Sequence, residues 1–72
     1  SWLVFQGKRW YPLDRSNQLA LDHTIAIGGT FVDIQDSHFP KAPRVRVFPK
    51  ENYLSYLGVK YQLSRVVQPD AW

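Results

Sequence analysis

The sequence predicts a mostly antiparallel α+β domain with one short helix. Three observations carry that prediction. Runs rich in β-branched and aromatic residues recur along the chain and are broken by Gly, Pro and Asn. Only one window favours helix over strand. Eleven aromatic residues (4 Phe, 4 Tyr, 3 Trp) crowd a chain of 72, and rings that each bury roughly 150–250 Å² suit packing between small sheets.

The elements follow in order. Trp2–Gln6 is an apolar, aromatic run closed by Gly7 and Lys8, and Arg9–Tyr11 comes next, so the chain opens as a hairpin. Pro12 lacks an N–H and must lie at a strand end or on an edge. From Ser16 to Asp22 the residues Asn17, Gln18, Leu19, Ala20 and Leu21 favour helix, with Ser16 or Asp14 placed to cap its first turn. Thr24–Ile27 and Thr30–Gln35 are β-branched runs separated by Gly28-Gly29, two residues that tolerate the positive φ of a tight hairpin turn. Asp36 to Pro43, with Ser37 and Pro40, reads as a loop. Arg44–Phe48 alternates polar and apolar residues with Val45 and Val47 inward, and Pro49 stops it. A looser stretch from Tyr53 to Leu57 leads past Gly58 into a strand over Val59–Val66, with Val59, Tyr61 and Leu63 on one face and Val67 extending it towards Pro69.

Length and composition narrow the function. A chain of 72 residues has room for one core and one domain, 1–72, and a deep catalytic cleft is not expected of it. The absence of Cys removes disulfides and thiolate metal sites, leaving the core to stabilise the fold, and a reducing cytoplasmic or nuclear setting is the default expectation. No run approaches the roughly 20 apolar residues of a membrane span. The opening Ser1-Trp2, without Met, points to a domain excised from a longer protein. The net charge of +3 is unevenly placed: residues 41–72 hold Lys41, Arg44, Arg46, Lys50, Lys60 and Arg65 against Glu51 and Asp70. That asymmetry fits an anionic partner, and it equally fits a solvated sheet face that uses Lys and Arg to discourage edge pairing.

No residue set reads as catalytic. His38 stands beside Ser37 and near Asp33 and Asp36, but a triad needs a base oriented by a third group against a nucleophile, and neighbours on one proline-rich loop rarely converge that way. Recurring zinc spacings are absent and no metal site is expected. His23 reads as a surface or capping residue. Gly28-Gly29 lacks the Lys and following helix of a phosphate-binding loop. The expected chemistry is therefore that of a non-enzymatic binding module without a cofactor. Its candidate binding face consists of Arg44, Arg46, Tyr53, Tyr56, Lys60 and Arg65, because basic side chains interleaved with rings hold anionic or stacking partners.

Trp2, then Trp10 in the context Trp10-Tyr11-Pro12-Leu13, then Asp22 closing the helical window stand at a spacing that resembles the WWE domain, named for two tryptophans and a glutamate. Asp takes the place of Glu here. Thr30–Ile34 looks like the family's aromatic-Val-Asp strand, and Val59–Arg65 occupies the place of its basic closing strand. The ending, with Tyr61, Arg65 and Trp72, is nearest to the divergent WWE-like segments of DDHD-type intracellular phospholipases. The resemblance implies a half-barrel sheet embracing one helix, with Trp2 and Trp10 packed across the helix and Asp22 capping it or pinning it to the sheet. It also implies an interaction module within a larger multidomain protein, with a protein partner. A small basic β-barrel that binds nucleic acid is the alternative from a different class.

The chain departs from the family in two segments. Asp22 to Asp33 is about half the usual length, so a curtailed helix is expected, and Asp36 to Leu57 is longer. Both the architecture and the resemblance require strand pairing across Gly28-Gly29. Many WWE domains bind the iso-ADP-ribose unit of poly(ADP-ribose) through two Tyr, a Gln and several Arg. By spacing, Val4 and Thr30 stand where the two Tyr should be and Phe39 near the Gln position, so poly(ADP-ribose) is not an expected ligand.

Overall fold

A computed structural model describes residues 1–66. The chain opens with β1 (Trp2–Gln6) and β2 (Arg9–Pro12), continues through α1 (Arg15–Ala26) and β3 (Val32–Ile34), and closes with β4 (Val45–Phe48), a 3₁₀ turn (Pro49–Glu51), β5 (Tyr53–Tyr56) and β6 (Val59–Arg65). The six strands form one open sheet in the order β2-β1-β6-β5-β4-β3, and every pairing is antiparallel. Among the described residues an α+β fold with one α-helix is thus present. Among the described residues no helix is long and apolar enough to cross a membrane. The extension of the last strand to Val67, and Trp72, lie outside the described residues.

The hairpin expected across Gly28-Gly29 is not there. Thr24, Ile25 and Ala26, read as the start of a strand, are the last turn of α1, which extends well past the expected Asp22 and is not curtailed. Helical spacing explains the outcome: Asn17, Gln18, Leu21 and Thr24 are the buried residues of α1 and share one face. Thr24 is accommodated because its hydroxyl donates to the Ala20 carbonyl one turn back at 2.8 Å. The two glycines then end the helix. Gly28, at φ +72°, donates its N–H to the Ile25 carbonyl, and Gly29 donates to that of Thr24, which is the pair of bonds of a Schellman cap. Gly-Gly serves either a tight turn or a helix end, and the local sequence does not separate them. Replacing Gly28 with Ala is expected to cost about 1 kcal/mol, the penalty of the left-handed conformation for a residue with a Cβ. Urea unfolding of the variant checks this, and an unchanged midpoint would speak against the cap.

Smaller differences concern strand ends. The strand expected over Thr30–Gln35 is confined to Val32–Ile34, that over Arg44–Phe48 begins at Val45, and β2 includes Pro12 as its last residue. The looser stretch before Gly58 contains a strand, β5, which pairs with both β4 and β6. Asn52 makes it possible by turning the chain in the left-handed region after the 3₁₀ turn.

Alternation along the strands gives the sheet two faces. Val45 and Val47 point inward as expected, with Leu54, Leu63, Trp2 and Val4 beside them in the core, and Leu13, Leu21, Ile34 and Phe39 close it from the other elements. Where β1 and β2 part, the Gln18 side chain of α1 bridges them beside the last backbone bond, from Leu13 N–H to the Trp2 carbonyl. The Gln18 side-chain oxygen accepts from Trp2 N–H at 2.6 Å, and its amide donates to the carbonyls of Trp2 and Leu13. Helix and sheet are thereby joined by satisfied buried polar groups.

Candidate functional site

The outer face of the sheet is built by register. Asp33 pairs with Arg46, Arg46 with Ser55 and Ser55 with Lys60, so these four side chains form one row across β3 to β6. The next row runs from Phe48 to Tyr53 to Gln62. The rings of Phe48 and Tyr53 stack at 4.6 Å between centroids and 21° between planes, and Lys60 lies over Tyr53 with its ammonium 4.5 Å from the centroid. Arg46 lies over Phe31 at 4.2 Å and donates from Nε and Nη2 to the two oxygens of Asp33 at 2.9 and 3.2 Å. That pairing holds the Asp33 carboxyl below its ordinary range and strengthens the proton affinity of Arg46. Exposed cation–π contacts of this kind are weak, so they fix side-chain position more than they stabilise the fold.

Of the six residues expected to form the binding face, the structure gathers Arg46, Tyr53 and Lys60 on this surface, with the exposed Arg44 leading into β4 beside them. Tyr56 and Arg65 belong elsewhere. Tyr56 lies on the core face, where its ring meets Phe39 at 4.7 Å and its hydroxyl accepts from the Lys41 N–H at 3.1 Å. Arg65 pairs with Trp2 in register and donates to Asp22 at 3.1 Å. Strand alternation decides both placements: Tyr56 is three residues from Tyr53, an odd number, and so falls on the opposite face. Phe31, Asp33 and Phe48 complete the outer face and were missed as members of it. Phe48 was legible, since it lies two residues beyond Arg46 on the same strand.

The three signature residues divide. Trp2 is buried, and its indole Nε1 donates to Asp22 Oδ1 at 2.8 Å, which ties β1 to α1. The same oxygen accepts from Arg65, whose guanidinium lies 5.3 Å from the Trp2 ring centroid. Trp10 does not pack across the helix. It stands opposite Phe5 in register, on the outer face, 41% exposed and in ring contact with Phe5 at 5.1 Å.

A second cluster lies where the loop after β3 meets the start of α1. Ligand atoms of Asp14, Asp36 and His38 lie within 4.8 Å of one another. Asp36 is buried and accepts from Asp14 N–H, Asn17 Nδ2 and His38 N–H, with His38 Nδ1 at 2.7 Å. Asp14 stands at the N-cap position, yet its carboxylate makes no capping bond and instead accepts from Ser37 N–H and Oγ, both at 2.7 Å. An open depression of about 460 Å³ borders the cluster, lined by Asp14, Gln35, Asp36, Ser37, Phe39, Pro40 and Ala42. The Ser37 hydroxyl is directed to Asp14 and not to His38, so no Ser–His pair forms here. The carboxylates fasten the loop to the helix.

The positions at which an adenine-nucleotide pocket would need its rings and amide are also placed. Val4 and Phe39 are fully buried, and Thr30 is exposed beyond the end of β3. Compared with known proteins, the chain matches no family model, no curated protein and no solved structure.

Proposed function

We propose that this chain is a non-catalytic, WWE-like interaction module that holds an acidic segment of a protein partner on the outer face of its sheet. The observation that carries the reading is the row Asp33–Arg46–Ser55–Lys60 set beside the ring pair Phe48 and Tyr53. It presents Lys60 and the remaining donors of Arg46 next to half-buried rings, a combination suited to an extended anionic segment. The strand pairing across Gly28-Gly29 that the resemblance requires is absent, and the WWE-like part keeps only a narrower support. That support is the hydrogen bond from Trp2 to Asp22, which ties α1 to β1, the pinning role that the resemblance implies for Asp22.

The nucleic-acid reading is weaker on this surface. A base needs an open ring to stack on, whereas Tyr53 carries Phe48 against its ring and the Lys60 ammonium above it. Poly(ADP-ribose) is also disfavoured, because Val4 and Phe39 are core residues and cannot reach a ligand without unfolding part of the sheet.

Fluorescence anisotropy with three labelled probes tests the proposal: a peptide alternating Glu and Tyr, a thymidine oligonucleotide and iso-ADP-ribose. At physiological salt the peptide is expected to bind saturably and the other two to show no saturable binding. Oligonucleotide binding that collapses steeply as salt rises would replace the proposal with the nucleic-acid reading, and saturable iso-ADP-ribose binding in the low-micromolar range would contradict the exclusion of that ligand.

A further inference from the structure

The turn between β5 and β6 places a leucine where hairpin chemistry disfavours it. Leu57 and Gly58 form a two-residue loop between the paired residues Tyr56 and Val59, and both have positive φ, +52° and +79°. That is the pattern of a type I′ turn, whose first central position is best filled by Asn, Asp or Gly. Leucine there carries backbone strain and recovers little of it in packing, since Leu57 is 65% exposed and Val59, after Gly58, 52% exposed. Neither fact serves folding. Strain held at an exposed apolar apex is the kind of outlier from which a binding role is inferred.

The surroundings of that apex are basic and aromatic. β1 and β6 are antiparallel with Val4 opposite Leu63, so the Gly7-Lys8 turn of the first hairpin lies at the same end of the strand pair as Leu57-Gly58. Phe5 and Trp10 stand exposed just behind the first turn and in contact with each other. Lys8, Arg9 and Lys60, all exposed, flank the two turns. Residues 1–13 and 52–66, which contain both hairpins, include no Asp or Glu.

We propose that the two hairpin tips form an interfacial docking surface for an anionic lipid bilayer, with Leu57 and Val59 entering the headgroup region, Trp10 lying at its level, and Lys8, Arg9 and Lys60 meeting lipid charge. Protruding apolar tips suit a fluid, deformable surface, and a Trp beside cations is the arrangement favoured at membrane–water boundaries. This surface is separate from the acidic-segment site apart from the shared Lys60. Its test therefore turns on Leu57, which does not belong to the outer-face rows.

Co-sedimentation with phosphatidylcholine vesicles, with and without phosphatidylserine, reads the proposal directly. Binding is expected only with phosphatidylserine. Leu57→Asn suits the turn and should leave the thermal midpoint unchanged or raised, while binding falls by roughly tenfold or more for loss of one buried leucine side chain. The double variant Lys8→Ala/Arg9→Ala should lower binding by about an order of magnitude or more, at roughly fivefold per charge. No association with phosphatidylserine vesicles overturns the proposal. So does association indifferent to Leu57→Asn, which would be adsorption by charge alone, and so does Leu57-dependent binding to a soluble acidic peptide without vesicle binding, which would make the tips a protein-docking surface.

Discussion

Replacing Phe39 with Ala is expected to destabilise the domain by about 3–5 kcal/mol, the usual cost of emptying a buried aromatic site. Phe39 belongs to the loop between β3 and β4, yet it is fully buried, with its ring 4.7 Å from Tyr56 and 5.3 Å from Tyr61 between centroids. The loop thus supplies a core residue to a sheet whose own strands are short. Domains of this size are stable by roughly 0.05–0.15 kcal/mol per residue, so the loss takes a large share of what there is. Urea unfolding should show a sharply lowered midpoint or no cooperative transition, while Phe39→Leu, which keeps most of the apolar contact, should fall between the variant and the parent. A loss below about 1 kcal/mol for Phe39→Ala would mean that the loop does not seal the core.

Replacing Asp36 with Asn is expected to cost about 2–4 kcal/mol and to change the response to acid. The carboxylate oxygens accept from Asp14 N–H, Asn17 Nδ2 and His38 N–H and contact His38 Nδ1. An amide keeps one acceptor and turns an N–H₂ group towards donors, leaving some of them unsatisfied. Burial pushes the Asp36 carboxyl up, but the hydrogen bonds from His38, Asp14 and Asn17 together outweigh it and hold the group below its ordinary value of 3.8. A carboxyl whose pKa is lower folded than unfolded binds fewer protons in the folded state. Its contribution is complete above the unfolded value, about pH 4, and is lost as pH falls through the folded one. Urea midpoints measured from neutral pH down to about pH 2 should therefore fall more steeply for the parent than for Asp36→Asn. Parallel acid profiles would show that Asp36 is not the group being protonated.

The sequence made some of this legible, for reasons visible in particular residues. Period-two alternation located β4 and β6 and assigned Val45, Val47 and Leu63 to the core, because one face of each strand is buried and the other solvated. The first hairpin followed from Gly7 and the flanking apolar runs. The turn at Gly28-Gly29 was misread because β-branched Thr24 and Ile25 have low helix propensity, and what overrode that propensity was tertiary: Thr24 is buried on the same helical face as Leu21. β5 escaped because rings occupy both of its faces, Tyr53 outward and Tyr56 inward, which erases alternation. The candidate site was half legible, since Arg44, Arg46, Tyr53 and Lys60 follow from strand parity once β5 is known. The partner Asp33 and the buried anchor Asp36 could not be read from spacing, because their contacts join segments that only the fold brings together.

In the proposed binding mode, ligand meets the outer face of the sheet while the opposite face is filled core. Its most direct test is a titration of the isotopically labelled domain with the Glu/Tyr peptide, following backbone amides and the side-chain resonances of Arg44, Arg46, Tyr53 and Lys60. Saturable shifts are expected, confined to β3–β6 residues of the outer face and lost in the double variant Arg46→Ala/Lys60→Ala, with Val4, Phe39 and Leu63 unmoved. Shifts centred on Val4, Thr30 and Phe39, or binding that survives the double variant, would contradict it.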